Sequence, residues 1–522
     1  MTRSERTGHG RSAAPWVAAG LGIAGTAYRV WAIANHYPRF DSDEAAMGLG
    51  ALHIARGENF PIFLYGQNYM GSIESYLAAP FLSVLGITVT ALRIPEIMIF
   101  SAFAALMYLL AVRLHGSRWF AATVVGLLAL GSDRVMKDEL IAHGGSAEIK
   151  LFAAALFLIA LAAPAIAPRR RVFAYTGFGF IAGLALWSHW LIIPYLLAAG
   201  LLLLWGARGM TSRHGAALLA GVLVGAGPLI GYNLGAAPGE DSLSVFLQLN
   251  GGEPTPLSRR AVGAVILGVP LATGACGPGN CDLLQRSWAL VYLGLMVTSG
   301  VTAVRLLRRR PVGDDRLRAA AMALLLVAAG GSIAAYARSP AAGQTPIESA
   351  RYLSCLLVST PALLWPVWVG LGAARRARIP AAIVVAITAM VMTNATLAVI
   401  RHAVPEARQV ADDERALISA LEAQGVKSIY SEYWTCNRVS YLSQERTVCV
   451  VLDEELRPGL DRWLPYRRRV AADPAPAFVF PQGSAADQAF IAHLARLGIP
   501  SDHRAVGGYH LYRTATVVPL PR

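Results

Sequence analysis

Three carboxylates fall within four positions of one short segment, at Asp41, Asp43 and Glu44. They follow directly on the first apolar run of the chain, residues 13–34. A carboxylate beside a lipid bilayer is costly unless it faces a cavity, where it can take a proton, hold a cation or bind a polar substrate. We therefore predict that this segment lines a functional cavity at a membrane surface.

The composition is that of a protein that crosses a membrane many times. Of 522 residues, 55% are hydrophobic and 15% are charged, against about 25% charged in an average soluble domain. The formal net charge is +14, but the arginines occur in short clusters between apolar runs, as cytoplasmic anchors do. The charge therefore does not indicate a nucleic-acid partner.

About eleven apolar runs are candidate membrane spans, because a helix needs about 20 apolar residues to cross a bilayer. After residues 13–34 they are 93–112, 118–131, 149–167, 173–187, 191–205, 216–234, 287–304, 319–336, 352–371 and 381–400. If Arg3, Arg6 and Arg11 hold the N-terminus in the cytoplasm, alternation puts the later arginine clusters on the same side. We expect a multi-pass protein of the cell (inner or plasma) membrane with the carboxylate segment on the outer face.

Ser72–Leu85 is apolar but too short to cross a bilayer. We expect a juxtamembrane or re-entrant helix there, so that the first outer loop comprises residues 36–92. A loop of this length is typically functional.

The chain divides into two predicted domains. Residues 1–401 contain the apolar runs, whereas residues 402–522 are polar, with short strand-like runs between helical patterns. We expect an all-α membrane domain followed by a small extracytoplasmic α/β domain.

Four of the five cysteines fall in parts predicted to lie outside. An oxidising compartment favours disulfides within the pairs Cys276/Cys281 and Cys436/Cys449. Zinc is the alternative, although no histidine lies at ligand spacing beside either pair. Cys355 lies in a predicted span.

The carboxylate segment continues into a polar stretch that includes Tyr65-Gly66-Gln67-Asn68-Tyr69-Met70-Gly71. Together with Arg93, the Ala142–Gly145 loop and Arg351-Tyr352-Leu353, it resembles the GT-C class of integral-membrane glycosyltransferases. The resemblance is to bacterial family-39-like enzymes related to protein mannosyltransferases and to the lipid A aminoarabinose transferase. Members carry an Asp-Glu pair in a long first outer loop, and the similarity extends over the membrane part only.

The resemblance implies that Asp43 is the catalytic base and that Glu44 orients Asp43 or the acceptor. An inverting transfer needs one carboxylate to take the proton of the acceptor hydroxyl. The alternative is that the acids cap a helix beginning near Ala45. Asp41 is an additional acid beside the family's pair.

Asp41-Ser42-Asp43 also forms an Asp-X-Asp pattern, whose oxygen ligands suit Mg²⁺ or Mn²⁺. The resemblance implies that no metal or other cofactor is required. Both possibilities remain open at this point.

Further polar residues are candidates for substrate binding. Tyr65, Gln67, Asn68 and Tyr69 offer hydrogen bonds beside glycines, and Arg93 and Arg351 could clamp a phosphate. The complete predicted set is Asp41, Tyr65, Gln67, Asn68, Tyr69, Glu74, Arg93, Asp138, Glu139, His143, Glu148, His189 and Arg351. The alternatives are a solvated loop face for the second-loop acids, snorkelling for the arginines and an interfacial aromatic belt around His189.

The predicted function is an inverting glycosyl transfer from a polyprenyl-phosphate-linked sugar to a glycolipid, envelope polysaccharide or protein on the outer face. Membrane lipid would then surround the donor, and nucleic acid would have no part. A transporter or flippase of lipid-linked saccharide is the alternative, but it would favour polar residues throughout the spans and an internal repeat. A non-catalytic assembly protein would leave the three acids without a role.

Overall fold

The computed structural model describes residues 12–207, 210–251, 255–279, 281–309, 312–514 and 516–521. Arg3, Arg6 and Arg11, on which the predicted orientation rests, lie outside the described residues.

The first half of the chain is helical. Its helices are α1 (Ala14–Ala34), α2 (Ser42–Arg56), α3 (Ile73–Leu85), α4 (Val89–His115), α5 (Arg118–Ala129), α6 (Asp133–Leu140), α7 (Glu148–Ala162), α8 (Pro168–Ser188), α9 (Ile193–Trp205), α10 (Ser212–Gly225), α11 (Gly227–Gly235) and α12 (Ser242–Asn250). Short 3₁₀ turns at Ala163–Ala165 and Trp190–Ile192 adjoin α7 and α9.

The second half adds further helices and the strands. They are α13 (Leu257–Ala261), α14 (Val269–Ala272), α15 (Leu283–Arg308), α16 (Asp314–Arg338), α17 (Ala341–Gln344), α18 (Thr360–Leu371), α19 (Arg375–Ala398), α20 (Val404–Ala423), β1 (Ser428–Ser431), α21 (Tyr433–Leu442), β2 (Val448–Val451), α22 (Pro465–Ala471), β3 (Ala477–Pro481), α23 (Ala485–Leu497), β4 (Ser501–Val506) and β5 (Tyr509–Thr514). A 3₁₀ segment, Ser349–Ser359, precedes α18, and π turns occur at Val262–Gly268 and Val399–Ala403.

The predicted fold class, an all-α membrane domain followed by a small α/β domain, is confirmed. Among the described residues, seven helices are long and apolar enough to cross a membrane, or nine if each of two bent pairs is one span. The predicted count of about eleven also includes α8, whose first turn carries three arginines, and α9, which is shorter. All the predicted runs nevertheless fall on helices.

One large apolar core holds the bundle together. It is built from the inward faces of α4, α5, α7, α8, α9, α15, α16 and α18. Buried alanines, such as Ala153 and Ala154 on α7 and Ala320 and Ala321 on α16, provide small surfaces there, as is common where membrane helices pack closely.

Residues 36–92 form a layer at one end of this bundle. Asp41 caps α2, and Gly57, with φ of +70°, ends it. The predicted short helix at Ser72–Leu85 is α3, 13 residues long, which packs against α2 and α4.

The C-terminal domain is a five-stranded sheet in the order β2-β1-β3-β5-β4. β1 is parallel to both β2 and β3, whereas β5 is antiparallel to β3 and β4. α19, the π turn and α20 form one helical run, Arg375–Ala423, so the predicted boundary at 401/402 falls inside a helix.

The C-terminal domain packs directly onto α2 and its surroundings. Phe40, Leu49 and Leu92 share one buried apolar cluster with Tyr441 and Val450. The disulfide Cys436–Cys449 joins α21 to β2 behind this contact. The predicted Cys276–Cys281 disulfide is also present, and Cys355 is a buried free thiol.

Candidate active site

Asp41 is the N-cap of α2. Its Oδ1 accepts a hydrogen bond from the backbone N–H of Glu44 at 2.8 Å, the usual task of a capping carboxylate. Burial and the neighbouring negative charge of Asp43 raise the pKa of Asp41. Asp41 therefore caps α2, and Asp43 is available for other contacts.

Asp43 is held by the C-terminal domain. The hydroxyl of Tyr433 donates to Asp43 Oδ1 at 2.5 Å, and Arg462 Nη2 donates to the same oxygen at 2.8 Å. Arg462 Nε also donates to the Tyr433 hydroxyl at 2.8 Å, which closes a triangle of three side chains. In the part of the chain that the structure describes, Asp43 Oδ2 accepts no hydrogen bond.

The charges around Asp43 keep it ionised. Burial by itself would raise the pKa of Asp43, but the guanidiniums of Arg462 and Arg351 and the hydrogen bonds from Tyr433 and Arg462 hold it below its usual range. The side chain is 17% exposed. Asp43 thus presents one free, charged oxygen to its surroundings.

Arg351 contributes a positive charge to the same site. It is half-buried and lies within electrostatic reach of Asp43, Asp138 and Asp41. Its guanidinium stands 5.9 Å from the ring centre of Tyr352. Within the described ranges it makes no side-chain hydrogen bond or close ion pair, so its donors are available to an anion.

His143 faces the same region and feels the charges of Arg351 and Asp43. Its Nδ1 lies 2.8 Å from the carbonyl oxygen of Ile141, so the proton is assigned to Nδ1. Burial holds the pKa of His143 well below its ordinary value. The buried Nε2, which has no protein partner among the described residues, can then accept a hydrogen bond from a substrate hydroxyl.

Glu74 fixes the turn that follows His143. Its carboxylate accepts hydrogen bonds from the N–H groups of Gly144 at 2.6 Å and Gly145 at 3.3 Å. Both glycines have positive φ, +90° and +99°, and a Cβ on Gly145 would lie 2.5 Å from His189 Cβ. Only glycine fits this turn, and Glu74 holds its backbone in place. The predicted role of Glu74 in substrate binding remains a prediction.

Three other predicted acids form ion pairs within the helical domain. Arg93 donates two hydrogen bonds to Glu44, at 2.7 and 2.6 Å, and both side chains are fully buried. The remaining contacts are Arg29 Nη2 to Glu139 at 2.5 Å and Arg134 Nη2 to Asp138 at 2.5 Å. The predicted roles of Glu44, in orienting Asp43 or the acceptor, and of Arg93, in substrate binding, remain predictions, but each side chain already binds the other.

Glu148 and His189 lie close together behind the glycine turn. Ser188 donates to Glu148 Oε1 at 2.9 Å, and the N–H of Leu191 donates to His189 Nδ1 at 3.2 Å. The His189 ring is 6.3 Å from that of Tyr69, edge to face. Tyr69 in turn packs edge to face on Phe246 at 5.3 Å, so this aromatic group borders the site.

The remaining polar residues of the loop have three different partners. Gln67 faces Arg462, and its amide oxygen, turned toward that guanidinium, accepts at 3.2 Å. Asn68 donates to the Tyr232 hydroxyl at 2.6 Å. The Tyr65 hydroxyl lies 2.7 Å from His53 Nδ1, away from Asp43.

Tyr433 and Arg462 were not predicted from the sequence. Tyr433 begins α21 just after β1, and Arg462 lies in the loop that follows β2. Because β1 and β2 are adjacent parallel strands, their carboxyl ends meet at one edge of the sheet, where such folds place ligand-binding groups. The sequence signal that could have identified Tyr433 and Arg462 is that each follows a strand-like run of the C-terminal domain.

One cluster of described side chains has the composition of a metal site. Ligand atoms of His53, Glu58 and Glu445 lie within 4.8 Å of one another. Arg56 forms ion pairs with both glutamates, so its guanidinium already offsets part of their negative charge. At the predicted Asp41/Asp43 site, one oxygen of each carboxylate is engaged by protein donors, and metal binding there remains a prediction.

No protein-family model matches the chain, and no curated protein matches its sequence. Solved structures of similar fold do exist. The oligosaccharyltransferase of Archaeoglobus fulgidus in complex with Zn and sulfate gives a TM-score of 0.49 at 11% identity, covering 89% of this chain and 68% of that chain. The apo form gives 0.48 at 12% identity, covering 89% and 69%.

The oligosaccharyltransferase AglB of the same organism, in complex with an inhibitory peptide and a dolichol-phosphate, gives a TM-score of 0.47 at 12% identity, covering 90% of this chain and 69% of that chain. The chain is a multi-pass membrane protein, and the solved structures to which it is similar are those of the Archaeoglobus fulgidus oligosaccharyltransferase.

Proposed function

We propose that the protein is an inverting glycosyltransferase that uses a polyprenyl-phosphate-linked sugar as donor. Asp43 is the base, and the acceptor is a glycolipid, envelope polysaccharide or protein on the outer face of the membrane. The observation that carries the proposal is the pairing of a charged carboxylate with one free oxygen, on Asp43, and an arginine with free donors, Arg351.

In the proposed reaction, every bond that forms or breaks and the proton that moves can be assigned. The acceptor hydroxyl oxygen attacks the anomeric carbon while the bond from that carbon to the phosphate oxygen breaks. The phosphate leaves with the electron pair, and the hydroxyl proton passes to Asp43 Oδ2. A lipid phosphate is already a good leaving group, so an ordinary carboxylate suffices as the base.

Arg351 suits the leaving group. A guanidinium binds phosphate through parallel hydrogen bonds and keeps its charge when buried. The free donors of Arg351 and its nearness to Asp43 support a site in which phosphate and acceptor meet. His143 Nε2 supplies a further acceptor for a sugar hydroxyl.

A membrane setting fits a lipid-linked donor. Each CH₂ of its tail that left the bilayer would cost about 0.8 kcal/mol, so the enzyme has to meet the donor in the membrane. The helical bundle provides that position, and the layer of residues 36–92 joins it to a polar domain that could hold the acceptor.

The test uses the full chain purified into nanodiscs. A panel of radiolabelled polyprenyl-phosphate hexoses and pentoses is offered with an acceptor mixture from native membranes, and release of free sugar is followed as an acceptor-independent readout. Asp43→Asn is expected to reduce both rates by about 10²-fold or more, the usual contribution of a general base. Asp412→Asn, which alters an exposed ion pair with Arg415, is the matched control.

Two results would contradict the proposal. Transfer that continues undiminished in Asp43→Asn would exclude the carboxylate as the base. Movement of intact lipid-linked sugar across the membrane of a proteoliposome, without transfer of the sugar, would favour the alternative function, a flippase.

A further inference from the structure

The C-terminal domain reaches into the site through two side chains, Tyr433 and Arg462. We propose that both are positioning residues for Asp43, so that the C-terminal domain completes the active site of the membrane domain. This inference rests on the proposed function, in which Asp43 takes the acceptor proton.

The geometry around Asp43 leaves a single orientation for its carboxylate. Tyr433 and Arg462 both donate to Oδ1 and also bond to each other. Two donors on one oxygen fix the plane of the carboxylate and direct the other oxygen, Oδ2, away from them. The oxygen left without a protein partner is the one that can accept a proton.

Arg462 is itself held in place from several sides. Its Nη1 donates to the backbone oxygen of Tyr65 at 3.2 Å, and its side chain is only 3% exposed. The preceding residue, Asp461, accepts a hydrogen bond from the N–H of Val451 at 2.7 Å, which ties the loop to β2. Arg462 is therefore a rigid donor.

The interface that carries these contacts is extensive. Ser42 donates to the backbone oxygen of Tyr433 at 2.6 Å and accepts from Asn437 at 2.9 Å. The Tyr441 hydroxyl donates to the backbone oxygen of Thr88 at 3.1 Å. Because docking does not depend on Arg462 alone, its removal can be separated experimentally from loss of docking.

The charged and titratable groups that face Asp43 come from several elements. They are Asp41 before α2, Arg351 from the 3₁₀ segment, His143 from the loop after α6, and Tyr433 and Arg462 from the C-terminal domain. Arg462 and Tyr433 favour the ionised form of Asp43, whereas the negative charge of Asp41 disfavours it. Losing Arg462 should therefore raise the pKa of Asp43.

The experiment compares Arg462→Gln, Arg462→Lys and Tyr433→Phe with wild type in nanodiscs. The matched control is Arg446→Gln, an exposed arginine of the same domain that pairs with Glu422. Donor hydrolysis is measured as kcat and KM against pH, farnesyl phosphate serves as a binding probe, and tryptophan fluorescence reports the melting temperature.

Arg462→Gln is expected to lower kcat by about tenfold or more, part of what a general base contributes, with farnesyl phosphate affinity unchanged. The acidic limb of its pH profile moves to higher pH. Tyr433→Phe moves the limb in the same direction by less, and Arg462→Lys restores part of kcat. Tyr433→Phe keeps the test available if Arg462→Gln fails to fold.

The inference is overturned if an active wild type and Arg462→Gln share the same kcat and pH profile. It is also overturned if kcat falls equally at every pH together with the melting temperature, since that pattern indicates loss of docking only. A wild type inactive with every donor overturns the proposed function and this inference with it.

Discussion

Arg93 and Glu44 form a fully buried ion pair in which two guanidinium nitrogens donate to the two carboxylate oxygens, at 2.7 and 2.6 Å. Arg93 also donates to the backbone oxygen of Pro38 at 2.8 Å, so one arginine on α4 holds both sides of the segment that carries Asp43.

Removing one partner of this pair should strongly destabilise the protein, because an unpaired buried charge remains. We expect Glu44→Gln to cost about 3–5 kcal/mol, and a combined Glu44→Leu and Arg93→Met change to cost less. Melting temperature in nanodiscs checks this, with Arg415→Gln in an exposed pair as the control. A Glu44→Gln variant as stable as wild type would contradict the expectation.

Arg351 should determine the affinity for phosphate. Arg351→Gln removes a charged donor, and a hydrogen bond to a charged group contributes about 1.5–3 kcal/mol, so farnesyl phosphate should bind about tenfold more weakly or worse. Arg351→Lys should retain part of the affinity, because a lysine keeps the charge but not the paired donors. The matched control is Arg118→Gln. Arg118 is an exposed arginine at the start of α5, just after the C-terminal end of α4. Unchanged binding in Arg351→Gln would mean that the phosphate lies elsewhere.

The Cys436–Cys449 disulfide should support activity as well as stability. It closes a short loop, with a sequence separation of 13, for which the chain-entropy effect is about 3 kcal/mol. The Cys436→Ser, Cys449→Ser double variant should have a lower melting temperature. It should also transfer sugar more slowly, because α21 carries Tyr433. Cys355→Ser, at the buried free thiol, controls for the change of residue type. Full activity in the double variant would show that α21 is held by its other contacts.

Glu445 should make stability depend on pH. Burial alone would raise the pKa of this carboxyl, but hydrogen bonds from His53 and Tyr466 and the charges of His53 and Arg56 lower it from its ordinary value of 4.5 to about 2. A depressed folded-state pKa stabilises the fold above the unfolded value, and this contribution is lost as pH falls from about 4.5 toward 2. Between pH 4.5 and 2, the melting temperature of Glu445→Gln should change less with pH than that of wild type. An equal change of melting temperature with pH in the two proteins would contradict the lowered pKa of Glu445.

The sequence was sufficient for features that depend on local composition. Apolar runs of about 20 residues predict spanning helices whatever their neighbours are, and the short Ser72–Leu85 run was correctly set apart as α3. Both disulfides followed from cysteine spacing and the predicted compartment. The carboxylate segment was recognised because charged residues are rare beside apolar runs.

The partners of the carboxylates could not be predicted in the same way. Asp43 is bound by residues 390 and 419 positions away, and no local pattern specifies contacts at such distances. Glu44 was assigned by resemblance to orient Asp43 or the acceptor, and Arg93 was assigned to substrate, yet the fold pairs these two side chains, 49 positions apart, with each other. Residue type indicates what a side chain can bind, whereas the fold determines which partner is within reach.

The distance along the chain between Asp43 and Arg462 also has a consequence for biosynthesis. Ribosomes add about 5–20 residues per second, so the 419 positions between the two residues correspond to roughly 20–80 s of translation. Throughout that interval α2, which carries Asp43, exists without Arg462, and over the first 390 positions it also exists without Tyr433. A nascent or truncated chain therefore contains the carboxylate without the two groups that orient it, and full-length synthesis acts as a checkpoint on the assembly of the site.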